Sequence, residues 1–268
     1  MNVSAPTLRI VRSAASSLLQ PYTEALLAGE RLSARKYIDG ALKAGLSADL
    51  LLTDLVYTAM ENIRAAFRED EVSITQLNLA TRLNRFFADM LGARLECEPL
   101  NGKRVLVFCG NDEPEELGGQ ITADLFQAEG WEVKFAGGGV PDDEVLKLIG
   151  EERPDLLVLF ATLPTAVPSV RKLIDYLREI NSNPEMQIMC CGGIYTRAEG
   201  LADEIGADLY APDALTAVET ATHQSNRRAT VDQQTVGRSR RIKKAAQRKS
   251  PVLGRIAPTT QIPRAEAI

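Results

Sequence analysis

Apolar residues in roughly the first third of the chain recur at three-to-four spacing, and beyond residue 103 they gather into short unbroken blocks. The first spacing is that of a helix with one buried stripe. Leu50, Leu51, Leu55, Ala59, Ile63 and Phe67 form such a stripe along ADLLLTDLVYTAMENIRAAF. Ser47 stands before that run as its cap, Ser33 before ARKYIDGALKAG, and Ser73 with Gln76 makes a capping box for ITQLNLATRLNRFFADMLGARL. An earlier helix within residues 7–28, interrupted at Pro21, completes a four-helix bundle over residues 1–92. Pro99, Asn101 and Gly102 break the pattern, so residues 93–102 read as a linker.

The later blocks are RVLVFC (104–109), WEVKFA (131–136), LLVLFA (156–161), QIMCC (187–191) and LYA (209–211), with helical stretches starting near Glu116, Asp142, Thr165, Arg197 and Ala214. Strands alternating with helices predict right-handed crossovers and a five-stranded parallel sheet covered on both faces, over residues 103–221. In such a sheet a ligand sits outside the carboxyl ends of the strands, where the strand order switches. The loops after residues 109, 136, 161 and 191 are therefore the ones to watch.

Composition adds a charge split. Residues 222–268 hold eleven Lys and Arg against Asp232 and Glu266, a net +9, which leaves −14 on residues 1–221 of a chain whose total is −5. That last segment is polar, basic and without aromatic residues, and it reads as a disordered tail that cannot bury enough apolar surface to offset its chain entropy. Its run from Arg238 to Lys249 is suited to nucleic-acid phosphates, without sequence preference, or to an acidic partner. No apolar stretch is long enough to span a bilayer, and the first residues lack a secretory pattern, so the expected location is cytoplasmic with no membrane partner. Cys97, Cys109, Cys190 and Cys191 form neither a disulfide framework nor a paired zinc motif, and reduced thiols follow.

Catalytic chemistry finds little to work with. His223 is the single histidine and lies in the tail, which rules out Ser/His/Asp and Cys/His nucleophiles in the body. Gly137, Gly138 and Gly139 follow a strand but lack the lysine and hydroxyl residue of a phosphate loop. A non-enzymatic protein is expected.

One spacing is more specific. Residues 113–118 read Glu-Pro-Glu-Glu-Leu-Gly; after 41 further residues come Phe160, Ala161 and Thr162, and after 29 more come Gly192 and Gly193. Gly139-Val140-Pro141 and ADEIGADLYAPDA (202–214) complete the layout. This arrangement resembles the cobalamin-binding module of methionine synthase, corrinoid methyl carriers and cobalamin photoreceptors, with its Asp-x-His-x-x-Gly, Ser-x-Leu and Gly-Gly motifs and its helical cap. The resemblance covers about residues 30–220 and implies a bundle followed by a flavodoxin-like, Rossmann-type sheet domain.

Carried over by position, the family pocket falls on Phe67 and Asn78 in the bundle and on Glu113, Glu115, Gly118, Gly139, Phe160, Thr162, Gly192 and Gly193 in the sheet domain. The resemblance makes Glu115 the counterpart of the histidine below cobalt and Glu113 that of the aspartate orienting it. Carboxylate is a poor substitute for imidazole on this metal, and three glutamates at a helix start are also explained by the helix dipole alone. Phe160 replaces the serine lining the slot for the cofactor's nucleotide tail, and Asn78 replaces the photoreceptors' upper histidine. These departures lead to the expectation of no cofactor, and of a regulatory, sensory or adaptor protein with a protein partner, including a second copy of itself. The alternative is a corrinoid-binding protein, light sensor or methyl-group carrier, that holds cobalamin without a histidine ligand.

Overall fold

Ser73 closes the capping box that its sequence announces. Its hydroxyl accepts from the Gln76 backbone N–H while the Gln76 side chain accepts from Ser73 N at 3.0 Å, starting helix α5 (Ile74–Gly92). The computed structural model describes residues 5–181 and 183–229. Before α5 come α1 (Ala5–Leu27), α2 (Arg31–Lys43), and a rod made of α3 (Ala48–Leu50), a π-helical segment (Leu51–Tyr57) and α4 (Thr58–Arg68).

Three local expectations need correction. Pro21 lies inside an uninterrupted α1. Helix α2 begins two residues before Ser33, with Glu30 at its cap position, and Ser33 donates to the Glu30 carboxylate at 2.8 Å. Ser47 occupies the cap position of α3 but makes no side-chain cap bond.

The π-helical segment has a visible partner. Asn84 of α5, fully buried, donates to the Val56 carbonyl at 2.8 Å and accepts from the Tyr22 hydroxyl at 2.7 Å. One polar side chain thus ties α1, the rod and α5 together inside an apolar bundle.

The second half contains β1 (Arg104–Cys109), α6 (Glu113–Ala128), β2 (Glu132–Gly137), α7 (Asp142–Glu152), β3 (Leu156–Phe160), α8 (Val167–Ile180), β4 (Gln187–Cys191), α9 (Gly193–Arg197), α10 (Leu201–Glu204), β5 (Leu209–Ala211) and α11 (Ala214–His223). The sheet is parallel with order β2-β1-β3-β4-β5. The chain leaves β1 in one direction to make β2 and returns on the other side to make β3. The switch point is therefore between β1 and β3.

Strand alternation divides the core. Val105, Val107, Val158, Phe160, Met189 and Cys191 point to one face, where α6, α11 and the whole bundle pack in one continuous apolar cluster. Leu106, Phe108, Leu157, Leu159, Ile188 and Cys190 point to the other, against α7 and α8. Bundle and sheet share a core and are not merely tethered.

Residues 222–229, expected to belong to the tail, are tied to the sheet domain. Helix α11 runs to His223, Gln187 donates to the carbonyls of Gln224 (3.0 Å) and Arg227 (2.8 Å), and the Ala229 N–H donates to buried Asp208 at 2.7 Å. The basic run Arg238–Lys249 lies outside the described residues.

Candidate functional site

Helix α6 starts where β1 ends, on an acidic first turn of Glu113, Glu115 and Glu116. Negative charge at a helix N-terminus is stabilising by about 0.3–1 kcal/mol, which explains the segment's composition but not its geometry. Glu115 turns inward and is 2% exposed. Its carboxylate accepts from the Thr162 backbone N–H, from the Thr162 hydroxyl at 2.8 Å and from the Leu163 N–H at 2.9 Å. It thereby latches the β1–α6 turn to the loop after β3, across the switch point. Gly110 makes this possible, since a Cβ there would lie inside contact distance of the Glu115 carboxylate.

Beneath the latch, Gly118 of α6 meets Phe160 of β3. The ring is 2% exposed, and its Cε1 lies 2.5 Å from where a Cβ on Gly118 would be. Gly119 repeats the pattern, with Cys109 Cβ at 3.0 Å and Phe135 at 3.1 Å from its would-be Cβ. Two successive glycines let the helix lie directly on the side chains of the sheet. A shifted register that turns Phe160 to the other face is excluded by its place beside Val158 and Cys191.

The remaining sequence-selected residues divide. Gly139 has φ +73° and donates its N–H to Asn111 at 2.6 Å. Gly192 has φ +108° and would put a Cβ 2.5 Å from the Ala161 carbonyl, and Gly193 faces Arg197 at 3.0 Å and Glu61 at 3.3 Å in the same sense. Phe67 packs partly buried on the bundle core. Glu113 is the partner of Arg82, at 3.8 Å. Asn78 does not reach the crevice: it sits exposed on α5, because the buried stripe of that helix runs through Leu77, Ala80, Thr81 and Asn84.

The seam between the bundle and the strand ends is occupied by groups that the sequence pattern did not flag. Arg64 of α4 is 4% exposed and lies 3.7 Å from Glu61, and Arg85 of α5 reaches Glu116 and the Glu113 carbonyl at 3.3 Å. Arg197 donates to the Thr162 carbonyl. Among the described residues, Arg64 Nη2, Arg85 Nε and Asp112 Oδ1 are buried without a hydrogen-bond partner. Burial, reinforced by the Glu115 carboxyl, pushes Asp112 up from 3.8 to about 7. Burial and then the Glu116 charge push Cys109 up to about 12, and burial pushes Cys190 to about 12, so neither is a thiolate near neutrality. No group of His, Cys, Asp and Glu among the described residues is arranged to hold a metal ion.

A cavity of about 600 Å³ opens at the same switch point, over the carboxyl ends of β1 and β3, with Glu115 and Phe160 in its lining. Phe108, Leu159 and Leu173 line its apolar part, and Asn111, Asp112 and Ser169 add polar groups.

Two family models cover this architecture, each described as a B12 binding domain: one matches residues 103–219 and the other residues 18–91. The chain belongs to the B12-binding family. Its relatives include dimethylamine corrinoid protein 3 of Methanosarcina mazei, 33% identical over 40% of this chain and 62% of that protein. Dimethylamine corrinoid protein 1 of Methanosarcina acetivorans is also 33% identical, over 40% of this chain and 49% of its own length. For these two the match spans about half to three-fifths of the relative. Dimethylamine corrinoid protein 1 of Methanosarcina mazei is 23% identical over 76% of this chain and 94% of its own. Among solved structures, the monomethylamine corrinoid protein of Methanosarcina barkeri superposes with a TM-score of 0.67 at 20% identity, over 75% of this chain and 95% of that one, and shows the same fold. Membership in this family overturns the expectation that the module carries no cofactor. No helix among the described residues is long and apolar enough to cross a membrane.

The chain's residues fit a corrinoid selectively. The orphaned donors and acceptor at the seam, Arg64, Arg85 and Asp112, suit the amide-bearing rim of such a ring. The lower-ligand position does not fit, since Glu115 is committed to Thr162 and Leu163.

Proposed function

We propose that this chain is a corrinoid-binding methyl-group carrier, not itself catalytic, which holds the corrinoid without a histidine of its own and presents it to a methyltransferase partner. The observation that carries this reading is that both halves of the chain, the capping bundle as well as the sheet, are matched by B12-binding models. The relatives bear the names of corrinoid proteins, and this reading therefore replaces the regulatory one. When bound, the corrinoid supplies a cobalt centre that takes up and releases a methyl group.

The chain's own residues supply the frame. The Glu115 latch holds the two loops at the switch point, Gly192 lets the turn after β4 pack on the Ala161 backbone, and Arg64 and Arg85 bring unpaired donors from the bundle. The naming of several relatives as dimethylamine corrinoid proteins supports a carrier working beside a separate catalyst.

The test is reconstitution of the purified full chain with hydroxocobalamin and methylcobalamin, followed by desalting and a visible spectrum. The proposal expects the corrinoid bands to be retained stoichiometrically. A colourless protein after desalting overturns it.

A further inference from the structure

This inference rests on the corrinoid reading and narrows it to a class of corrinoid. Between Gly118 of α6 and Phe160 of β3 no layer of space remains: the Phe160 ring is fully packed, and its Cε1 lies 2.5 Å from where a Cβ on Gly118 would be. The Glu115 latch closes the same gap from above through Thr162 and Leu163. Moving α6 away from the sheet would uncover Phe160 together with Leu117, Ile121 and Phe126, which pack in the same core. Burial of the ring favours the closed layer.

We infer that this protein takes its corrinoid by the ring alone, with the nucleotide tail kept out of the α6–β3 layer, and that Phe160 is the residue that determines this specificity. The ligand class is then any corrinoid ring, with or without a nucleotide loop, because the part of the ligand that the closed layer excludes adds no contact there. Phe160 is a positioning residue, since it acts by filling space and touches no reacting atom.

The measurement is equilibrium binding of cobalamin and of cobinamide, which lacks the nucleotide loop, to the full-length protein by visible titration. For the unaltered chain the two dissociation constants should agree within about threefold, well under the 1.4 kcal/mol that separates a tenfold difference. Phe160→Ser should open the layer and tighten cobalamin relative to cobinamide by about tenfold. Phe160→Leu keeps the layer filled and guards against a change caused by loosened folding: its ratio should stay near that of the unaltered chain. A preference of the unaltered chain for cobalamin of about a hundredfold or more overturns the inference while leaving the corrinoid reading intact. A ratio unmoved in Phe160→Ser overturns the role of Phe160. Failure of both ligands to bind overturns the corrinoid reading itself.

Discussion

Glu115 shows how one substitution changes what a site does with its loops. A buried carboxylate accepting from two backbone N–H groups and a hydroxyl is a strong local tie, and losing it strands donors that water cannot reach. With about 1–3 kcal/mol for each buried donor left unpaired, Glu115→Ala should lower stability to chemical denaturation by about 3 kcal/mol, and Glu115→Gln by less, because an acceptor oxygen remains. Equal stability of Glu115→Ala and the unaltered chain would contradict the latch. Its neighbour Asp112 makes a pH prediction. Asp112 is raised from 3.8 to about 7, and Asp124, by burial and the Asp89 charge, from 3.8 to about 6. A carboxyl raised in the folded state favours folding while both states are protonated, and that contribution is lost as pH climbs from the ordinary carboxylate range through the raised value. Stability should therefore fall between about pH 4 and 7 through these groups. In Asp112→Asn the difference in melting temperature between acid and neutral buffer should narrow, and an unchanged difference would count against the assignment. The sequence made Glu115 legible as a residue in the histidine's place. Its three partners were not legible, because they come from a loop 47 and 48 residues further along the chain.

At the scale of elements, the three-to-four stripe and the short apolar blocks carried most of the information. Strands β1, β4 and β5 lie where their blocks end, and α5 starts on its capping box. What the pattern could not convey was the π-helical segment, since the same stripe is compatible with either winding until a partner for the displaced carbonyl is known. That partner is Asn84, an amide on a mostly apolar face, which reads as an anomaly in sequence and as a tie in three dimensions. Asn84→Ala should cost about 1–3 kcal/mol by leaving the Val56 carbonyl and the Tyr22 hydroxyl unpaired in the bundle interior. Urea unfolding of the variant checks it, and a loss of only a few tenths would show that the bundle relaxes around the defect. Asn78 lies off the buried face of α5 for the complementary reason. A family position transferred by spacing does not know which face of the helix this chain's own stripe buries.

For the whole molecule, the spacing from Gly118 to Phe160 to Gly192 identified the frame, and B12-binding models match that frame. The expectation of no cofactor arose from counting lost side-chain ligands: the imidazole, the slot serine and the upper histidine. A ring of this size is also held by groups spread along an interface, and here Arg64 and Arg85 come from the bundle while Asp112 comes from the turn between β1 and α6. No local motif announces them. The account therefore joins two claims: the chain holds a corrinoid, and none of its own nitrogen atoms is bonded to the cobalt. The described chain agrees with the second, because His223 sits exposed at the end of α11 and its ring is engaged with the Glu219 carbonyl at 2.8 Å. Electron paramagnetic resonance of the loaded protein in the divalent cobalt state, prepared with natural-abundance and with heavy-nitrogen-labelled protein, tests this most directly. The account predicts a cobalt signal whose nitrogen splitting is the same in both samples. A splitting pattern that changes when the protein is labelled would place a protein nitrogen on the cobalt and contradict it.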